Sequence, residues 1–332
     1  MPLSKSEIEK IALIYGESFR SEKNRVKSYG LLESIVATTP PTNTTVGLQI
    51  LAKELAEISD HQFAFLLTHS GFIPDQFGDD SSEETLYSKL IEALVAEWGK
   101  RLGFEVHLPT AKSSTEDVTI MRKKEVIVAD AKSFRLGRSQ AAPNTKDAIK
   151  PEDYAKWIAR HTTKTAIGGL TTFPSKFDWQ KGSDVYLYAS NASEGKRILI
   201  LFYEHLAFML LNKHSLENGG VFEILKKYEK LFPSASKNRE FYWKAINGFF
   251  QRLVGSSDLN SFLQAGATVV DECVQMTIDR IADRIDRVEK EERSRIELLD
   301  SALLREALIN SEVTRKTSQD RRRLENIKRF RT

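Results

Sequence analysis

Ten residues constrain this chain more than any others: Val126-Ile127-Val128-Ala129-Asp130-Ala131-Lys132-Ser133-Phe134-Arg135. A run of Val, Ile and Ala that offers β-branched residues to both faces predicts a buried strand. Its polar end is unlike ordinary core. Asp130 and Lys132 lie two apart, so their side chains leave one face of the strand while Ala131 leaves the other. A carboxylate and an ammonium therefore meet at a strand end, as a simple ion pair or as part of a site.

The segment just upstream sharpens the choice. Asp117-Val118-Thr119-Ile120-Met121 predicts a second strand, with Arg122-Lys123-Lys124-Glu125 as the connection of a hairpin. A tight turn centred on Lys123-Lys124 sets Asp117 opposite Asp130; a slip of one residue would send Asp117 to the other face. Two like charges about 5 Å apart destabilise a sheet, so something positive must compensate. Lys132 is one candidate. A divalent cation is the other, because Mg²⁺ takes oxygen ligands and is often held by one or two carboxylates plus a substrate phosphate. Spacing alone is weak evidence, since Glu194-Gly195-Lys196 has the same spacing but follows Ser190-Asn191-Ala192-Ser193, which is loop chemistry.

The rest of the chain narrows the classes. Its single cysteine, Cys273, excludes an internal disulfide framework and suits a reducing compartment, and no apolar run reaches the roughly 18 residues of a membrane span. A cytoplasmic protein is expected. With 49 basic and 46 acidic residues the net charge is only +3, so any nucleic-acid surface must come from local clustering. No Gly-x-x-x-x-Gly-Lys loop and no Gly-x-Ser-x-Gly elbow is present, which argues against nucleotide-driven motors and serine hydrolases. The six histidines show no metal-ligand spacing, and His205 reads as a structural histidine.

In chain order, helical periodicity over residues 4 to 36 breaks at Thr38-Thr39-Pro40-Pro41-Thr42-Asn43, and a second helical stretch runs from Leu48 to Ser70. Ser81-Ser82-Glu83-Glu84 opens a strong helix to Leu102, closed by Gly103. Strands are predicted at 104–108, 117–121, 126–135, 184–188 and 197–202. Helices are predicted at 152–162, 204–213, 221–232, 239–254 and from 259 onward. This order predicts an α/β (α+β) fold in which helices surround a mixed sheet. Three regions are expected: N-terminal helical 1–80, core 81–213, and C-terminal helical 214–332 with a basic tail.

Val128-Ala129-Asp130-Ala131-Lys132-Ser133-Phe134-Arg135-Leu136 resembles the catalytic strand of the HindIII-type type II restriction endonucleases, a branch of the PD-(D/E)xK nucleases. Glu84-Thr85-Leu86-Tyr87-Ser88-Lys89 and Glu204-His205-Leu206-Ala207 agree in the same order. The resemblance implies a homodimeric, Mg²⁺-dependent enzyme that cuts double-stranded DNA at a short palindrome, with AAGCTT as first guess. It implies Asp117, Asp130 and Lys132 as catalytic residues, with the Ala131 carbonyl a further metal ligand beside the two acids. Glu116 stands before Asp117 where the family motif has proline, so either acid is a candidate to face the metal. Glu84 is a further carboxylate candidate, its alternative being a first-turn acid that complements the helix dipole. Arg135, Arg138, Asn144, Lys146 and Asp147 lie in or beside the loop after the catalytic strand and are of the types that read base edges. A repair or recombination nuclease of the same fold, and a DNA-binding or helical assembly protein without activity, are the alternatives.

Two features of the C-terminal third stand apart. Ile278, Ile281, Ile285 and Val288 form a three-four-three seam suited to a partner or to the chain's own body. Residues 315 to 332 carry eight basic and two acidic residues, as either a solvated helix end or a phosphate-tracking tail.

Overall fold

The computed structural model describes residues 3–40, 43–109, 115–136, 149–174, 197–216, 220–231, 239–254, 258–298 and 302–330. A five-stranded mixed sheet lies at its centre, in the order β2 (Glu105–His107), β3 (Val118–Arg122), β4 (Glu125–Ala131), β6 (Thr165–Phe173), β7 (Ile198–Phe202). Strands β2, β3 and β4 run antiparallel, and β4, β6 and β7 run parallel. A second, two-stranded parallel pair joins β1 (Phe72–Ile73) to β5 (Phe134–Arg135). The expected α/β architecture is therefore what the chain adopts.

Helices enclose the sheet because their apolar stripes have nowhere else to go. Helix α6 (Ser82–Arg101) begins as expected, with the Ser81 side chain accepting the Glu84 N–H, and stops before Gly103, whose φ is +83°. It buries Leu90, Ile91, Leu94, Val95 and Trp98, and the Trp98 indole donates to the Leu206 carbonyl at 2.8 Å. That carbonyl belongs to α8 (Tyr203–Leu211), which leaves β7 directly and packs on α5 (Asp60–His69).

The N-terminal stretch is three helices, α1 (Lys5–Tyr15), α2 (Glu22–Tyr29) and α3 (Leu31–Thr38). The helix expected from Leu48 to Ser70 is two, α4 (Thr44–Glu57) and α5, because Ser59 starts a new helix with Gln62 in a reciprocal capping box. After β5 come α7 (Pro151–Arg160), α9 (Gly220–Lys226), α10 (Tyr228–Leu231) and α11 (Arg239–Val254). Two long helices then finish the described chain, α12 (Asp258–Ile296) and α13 (Ala302–Phe330). The strand expected at 184–188 lies outside the described residues.

Strand β6 was not expected at all. Ala166-Ile167-Gly168-Gly169-Leu170 carries two adjacent glycines, which weaken a strand pattern, yet it forms the strand between β4 and β7. The glycines have separate causes. An irregularity shifts the register so that Ala166 pairs with Val126 but Gly168 pairs with Ile127, and Gly168 takes a φ of +154° that a side chain rarely tolerates. At Gly169 a Cβ would stand 2.2 Å from Cδ1 of Tyr154, a residue of α7 whose ring covers that strand.

The C-terminal seam is used within the chain. Ile281 and Ile285 of α12 pack with Ile327 of α13, and with Phe72, Leu136, Val270 and Val274, in a small second core that Ile278 and Leu324 flank. The basic tail is thus one arm of a helical hairpin up to residue 330, rather than a frayed end. Among the described residues, five of its cations have acidic partners: Arg315 with Glu312, Lys316 with Glu292, Arg321 with Glu289, Arg323 with Asp79, and Lys328 with Glu325. Arg25 of α2, 3% exposed, pairs with Glu272 of α12 at 2.8 Å and ties the first helices to the last.

Gly169→Ala is expected to destabilise the protein by about 1–3 kcal/mol through overpacking against Tyr154. Urea unfolding checks this. Adding Tyr154→Leu should recover part of the loss, whereas additive effects in the double mutant would show that the clash is not the cause.

Candidate active site

The hairpin of β3 and β4 delivers two acids to one place. Its turn is at Lys123-Lys124, with Lys123 at a φ of +55°, and the ladder runs from Arg122 opposite Glu125 to Val118 opposite Ala129. Asp117 follows at the ladder's end. Its N–H donates to the Ala129 carbonyl at 3.0 Å, and its Oδ2 accepts the Ala131 N–H at 2.9 Å. A side-chain carboxylate thereby takes the place of the next backbone acceptor and is turned toward Asp130.

Asp130 is 6% exposed and Lys132 Nζ lies 2.7 Å from its Oδ2. The lysine's backbone is held at both ends. Its N–H donates to the Thr172 carbonyl at 3.0 Å, and its carbonyl accepts the Tyr203 hydroxyl at 2.9 Å. Asp130, near the C-terminal end of β4, pairs directly with Thr171 of β6. The C-terminal ends of parallel strands are where open α/β sheets place their sites.

Burial, and then the negative charges of Asp130 and Glu92, push the Asp117 carboxyl up to about 8. Glu92, one turn beyond Ser88 on α6, is itself raised by burial, against the downward pull of Lys89, whose Nζ is 2.7 Å away. Three carboxylates with two lysines leave an excess of negative charge when all are ionised. The oxygen donors of Asp117, Asp130 and the Ala131 backbone suit a hard cation such as Mg²⁺, which keeps several waters and needs few protein ligands. Among the described residues no three His, Cys, Asp or Glu side chains are grouped so as to hold a metal ion by themselves.

The other expected residues separate clearly. Glu116 turns away from Asp130, its Oε1 accepting from the Thr119 hydroxyl at 2.8 Å and lying 2.8 Å from His161 Nε2. Asp117, not Glu116, therefore faces Asp130. Glu84 Oε2 accepts the Asp80 N–H at 2.7 Å and pairs with Arg135 at 2.8 Å. Arg135 also donates to the carbonyls of Phe77 at 2.7 Å and Gly78 at 2.6 Å and pairs with Asp79 at 3.0 Å. Its guanidinium is thus committed to the protein rather than presented to a base edge. Arg138, Asn144, Lys146 and Asp147 lie outside the described residues.

Two residues at the site were missed in the sequence. Glu92 had a faint signal, an acid beside the apolar stripe of α6, one turn after Ser88, whose hydroxyl meets that of Ser133 at 3.1 Å. Tyr154 had none, because the strand its ring covers was itself hidden by glycines.

The raised Asp117 carboxyl sets a stability trend for the metal-free protein. Its folded value of about 8 lies above the roughly 3.9 of an unfolded aspartate, so between these pH values the folded state binds more protons than the unfolded one. Stability from this group is then fully present below about pH 4 and is lost as pH rises to 8. Asp117→Asn should flatten the fall in melting temperature between pH 5 and 8 in chelator. An unchanged slope would show that Asp117 ionises normally.

The protein-family model described as HindIII restriction endonuclease matches residues 37–322, most of the chain. No curated protein matches the chain at a significant level. With that match spanning the hairpin, the acids and the covering helices, the chain belongs to the HindIII restriction endonuclease family, whose members are type II site-specific deoxyribonucleases.

Proposed function

We propose that this restriction endonuclease hydrolyses duplex DNA at a short palindrome, AAGCTT in the first instance, with Mg²⁺ as cofactor, leaving 5′-phosphate and 3′-hydroxyl ends. The core at 81–213 would carry the chemistry, flanked by helical regions 1–80 and 214–332. The observation that carries the reading is Asp117 and Asp130 pressed together at the end of one hairpin with Lys132 on Asp130.

Asp117, Asp130 and the Ala131 carbonyl would hold the Mg²⁺. When bound, the ion lowers the pKa of a water and offsets charge on the scissile phosphate. Lys132 supplies a cation fixed at both ends of its backbone. Its ammonium would hydrogen-bond the attacking water and the phosphate oxygens, where negative charge builds as the water oxygen bonds to phosphorus and the 3′ oxygen leaves. Glu84 supports this arrangement at a remove, through Arg135 and the β1–β5 pair. Base reading would fall to Arg138, Asn144, Lys146 and Asp147, since Arg135 would have to give up its carbonyl and carboxylate partners first.

A palindrome calls for two sites related by a two-fold axis, hence a homodimer. The Ile281 and Ile285 seam is spent on the second core, so the dimer contact must use another surface. A cytoplasmic location goes with this reading; no helix among the described residues is long and apolar enough to cross a membrane.

Purified protein with Mg²⁺ should cut a sequenced plasmid into discrete fragments whose ends map to one palindrome. Asp130→Asn and Lys132→Ala should each lower the single-turnover rate by at least about a hundredfold while Ca²⁺-supported DNA binding persists. Cutting only at lesions or branches would favour a repair nuclease, and specific binding without any cutting an inactive binder. Either result would overturn the proposal, as would Asp130→Asn cutting at the wild-type rate.

A further inference from the structure

Tyr154 connects α7 to the acid at the centre of the site. Its ring lies over Gly169, on the sheet face that carries Val128, Asp130 and Thr171, and it is 1% exposed. The hydroxyl reaches Asp130 Oδ2 at 3.4 Å and bonds to the Thr171 hydroxyl. Thr171 is the register partner of Asp130, so the sheet sets these two side by side and α7 brings the phenol to both.

Proton bookkeeping fixes the direction of the chain. An ionised carboxylate only accepts, so the phenol proton goes to Asp130 and the Thr171 hydroxyl donates to the phenol oxygen. Packing over Gly169 needs only an aromatic ring. A buried hydroxyl is costly without a partner, and here its partner is the acid that Lys132 also holds, on the same oxygen.

We propose that Tyr154 is a positioning residue for DNA cleavage, its hydroxyl fixing the rotation of the Asp130 carboxylate in which that acid meets the cation. The inference rests on the reading of Asp130 as a metal ligand. Two donors on Oδ2, one from the strand itself and one from a covering helix, leave the carboxylate no freedom to swing toward Lys132 alone. Without the phenol, Asp130 keeps Lys132 and its contact with Asp117 but loses the donor that α7 supplies. A lysine held entirely by its own acid is less available to the attacking water and to the phosphate.

Tyr154→Phe tests this, since the ring that fills the space over Gly169 is kept. Expected are an unchanged melting temperature, DNA affinity in Ca²⁺ within about twofold of wild type, and a single-turnover rate about ten- to a hundredfold lower, the scale of a hydrogen bond to a charged group. The Ca²⁺ midpoint, measured by calorimetry with the metal alone, should rise severalfold. Thr171→Val leaves the donor to Asp130 in place and should cost less than about threefold in rate. Wild-type rate and wild-type Ca²⁺ midpoint in Tyr154→Phe, beside an inactive Asp130→Asn, would overturn the positioning role and leave the nuclease reading standing. Equal losses in Tyr154→Phe and Thr171→Val, with matching drops in melting temperature, would reduce Tyr154 to packing. An Asp130→Asn enzyme that cuts normally would instead remove the reading on which the inference rests.

Discussion

Two carboxylates forced together at the end of one hairpin set the terms for the rest of this structure. Asp117 and Asp130 would separate if the backbone allowed it, since like charges on neighbouring strands repel and burial strengthens the repulsion. The backbone does not allow it. Five paired positions of β3 and β4 fix the register, and the Ala131 N–H closes the ladder on the Asp117 carboxylate itself. Val118, Ile120, Val126, Ile127, Val128 and Ala129, all fully buried, make a slip of register prohibitive, because it would carry these side chains off their faces. The cost of the acid pair is thus borne by a core that has other reasons to be where it is, the usual condition for strain to persist at a functional site.

How much of this was legible in the sequence follows from which forces are local. The hairpin register was readable because a two-residue turn and an apolar run leave few alternatives, and Asp117 facing Asp130 follows from the turn's position. The N-cap at Ser81 and the stop before Gly103 were readable for the same reason. What was hidden depended on distant partners. Strand β6 has weak intrinsic preference, and its two glycines make sense only once Tyr154 and the irregularity beside Ile127 are in view. The division of the Leu48–Ser70 stretch could have been read from Ser59 and Gln62, whose spacing is that of a capping box.

Among the candidate site residues the same divide holds. Asp130 and Lys132 share a face by strand geometry alone, so their pairing at 2.7 Å was foreseeable. Glu84 was ambiguous because a first-turn acid serves a helix terminus as readily as a site, and its partners, the Asp80 N–H and Arg135, belong to the scaffold. Glu92 bears on Asp117 only because α6 crosses the open end of the hairpin, a tertiary fact with no signature within one helix.

The basic C-terminal segment shows why a charge count is a poor guide to a charged surface. Its excess of cations suggested a free electrostatic feature, but α13 lies against α12, and the partners come from α12, from the loop before α6 and, for Arg315 and Lys328, from α13 itself. Asp75, whose side chain is 1% exposed, pairs with Arg280 at 2.7 Å and Arg284 at 2.9 Å, and Arg284 in turn holds Asp320 of α13 at 2.8 Å. Arg323 donates to the Asp75 carbonyl at 3.0 Å and approaches Asp79, which also pairs with Arg135. The loop carrying Asp75 and Asp79 therefore has cations from α12 and α13 on one side and Arg135, three residues beyond Lys132, on the other. Exposed ion pairs contribute little, but removing one partner from a buried network leaves a desolvated charge behind. The C-terminal hairpin is accordingly part of what holds the segment after Lys132 in place, and its cations that are paired among the described residues act on the fold.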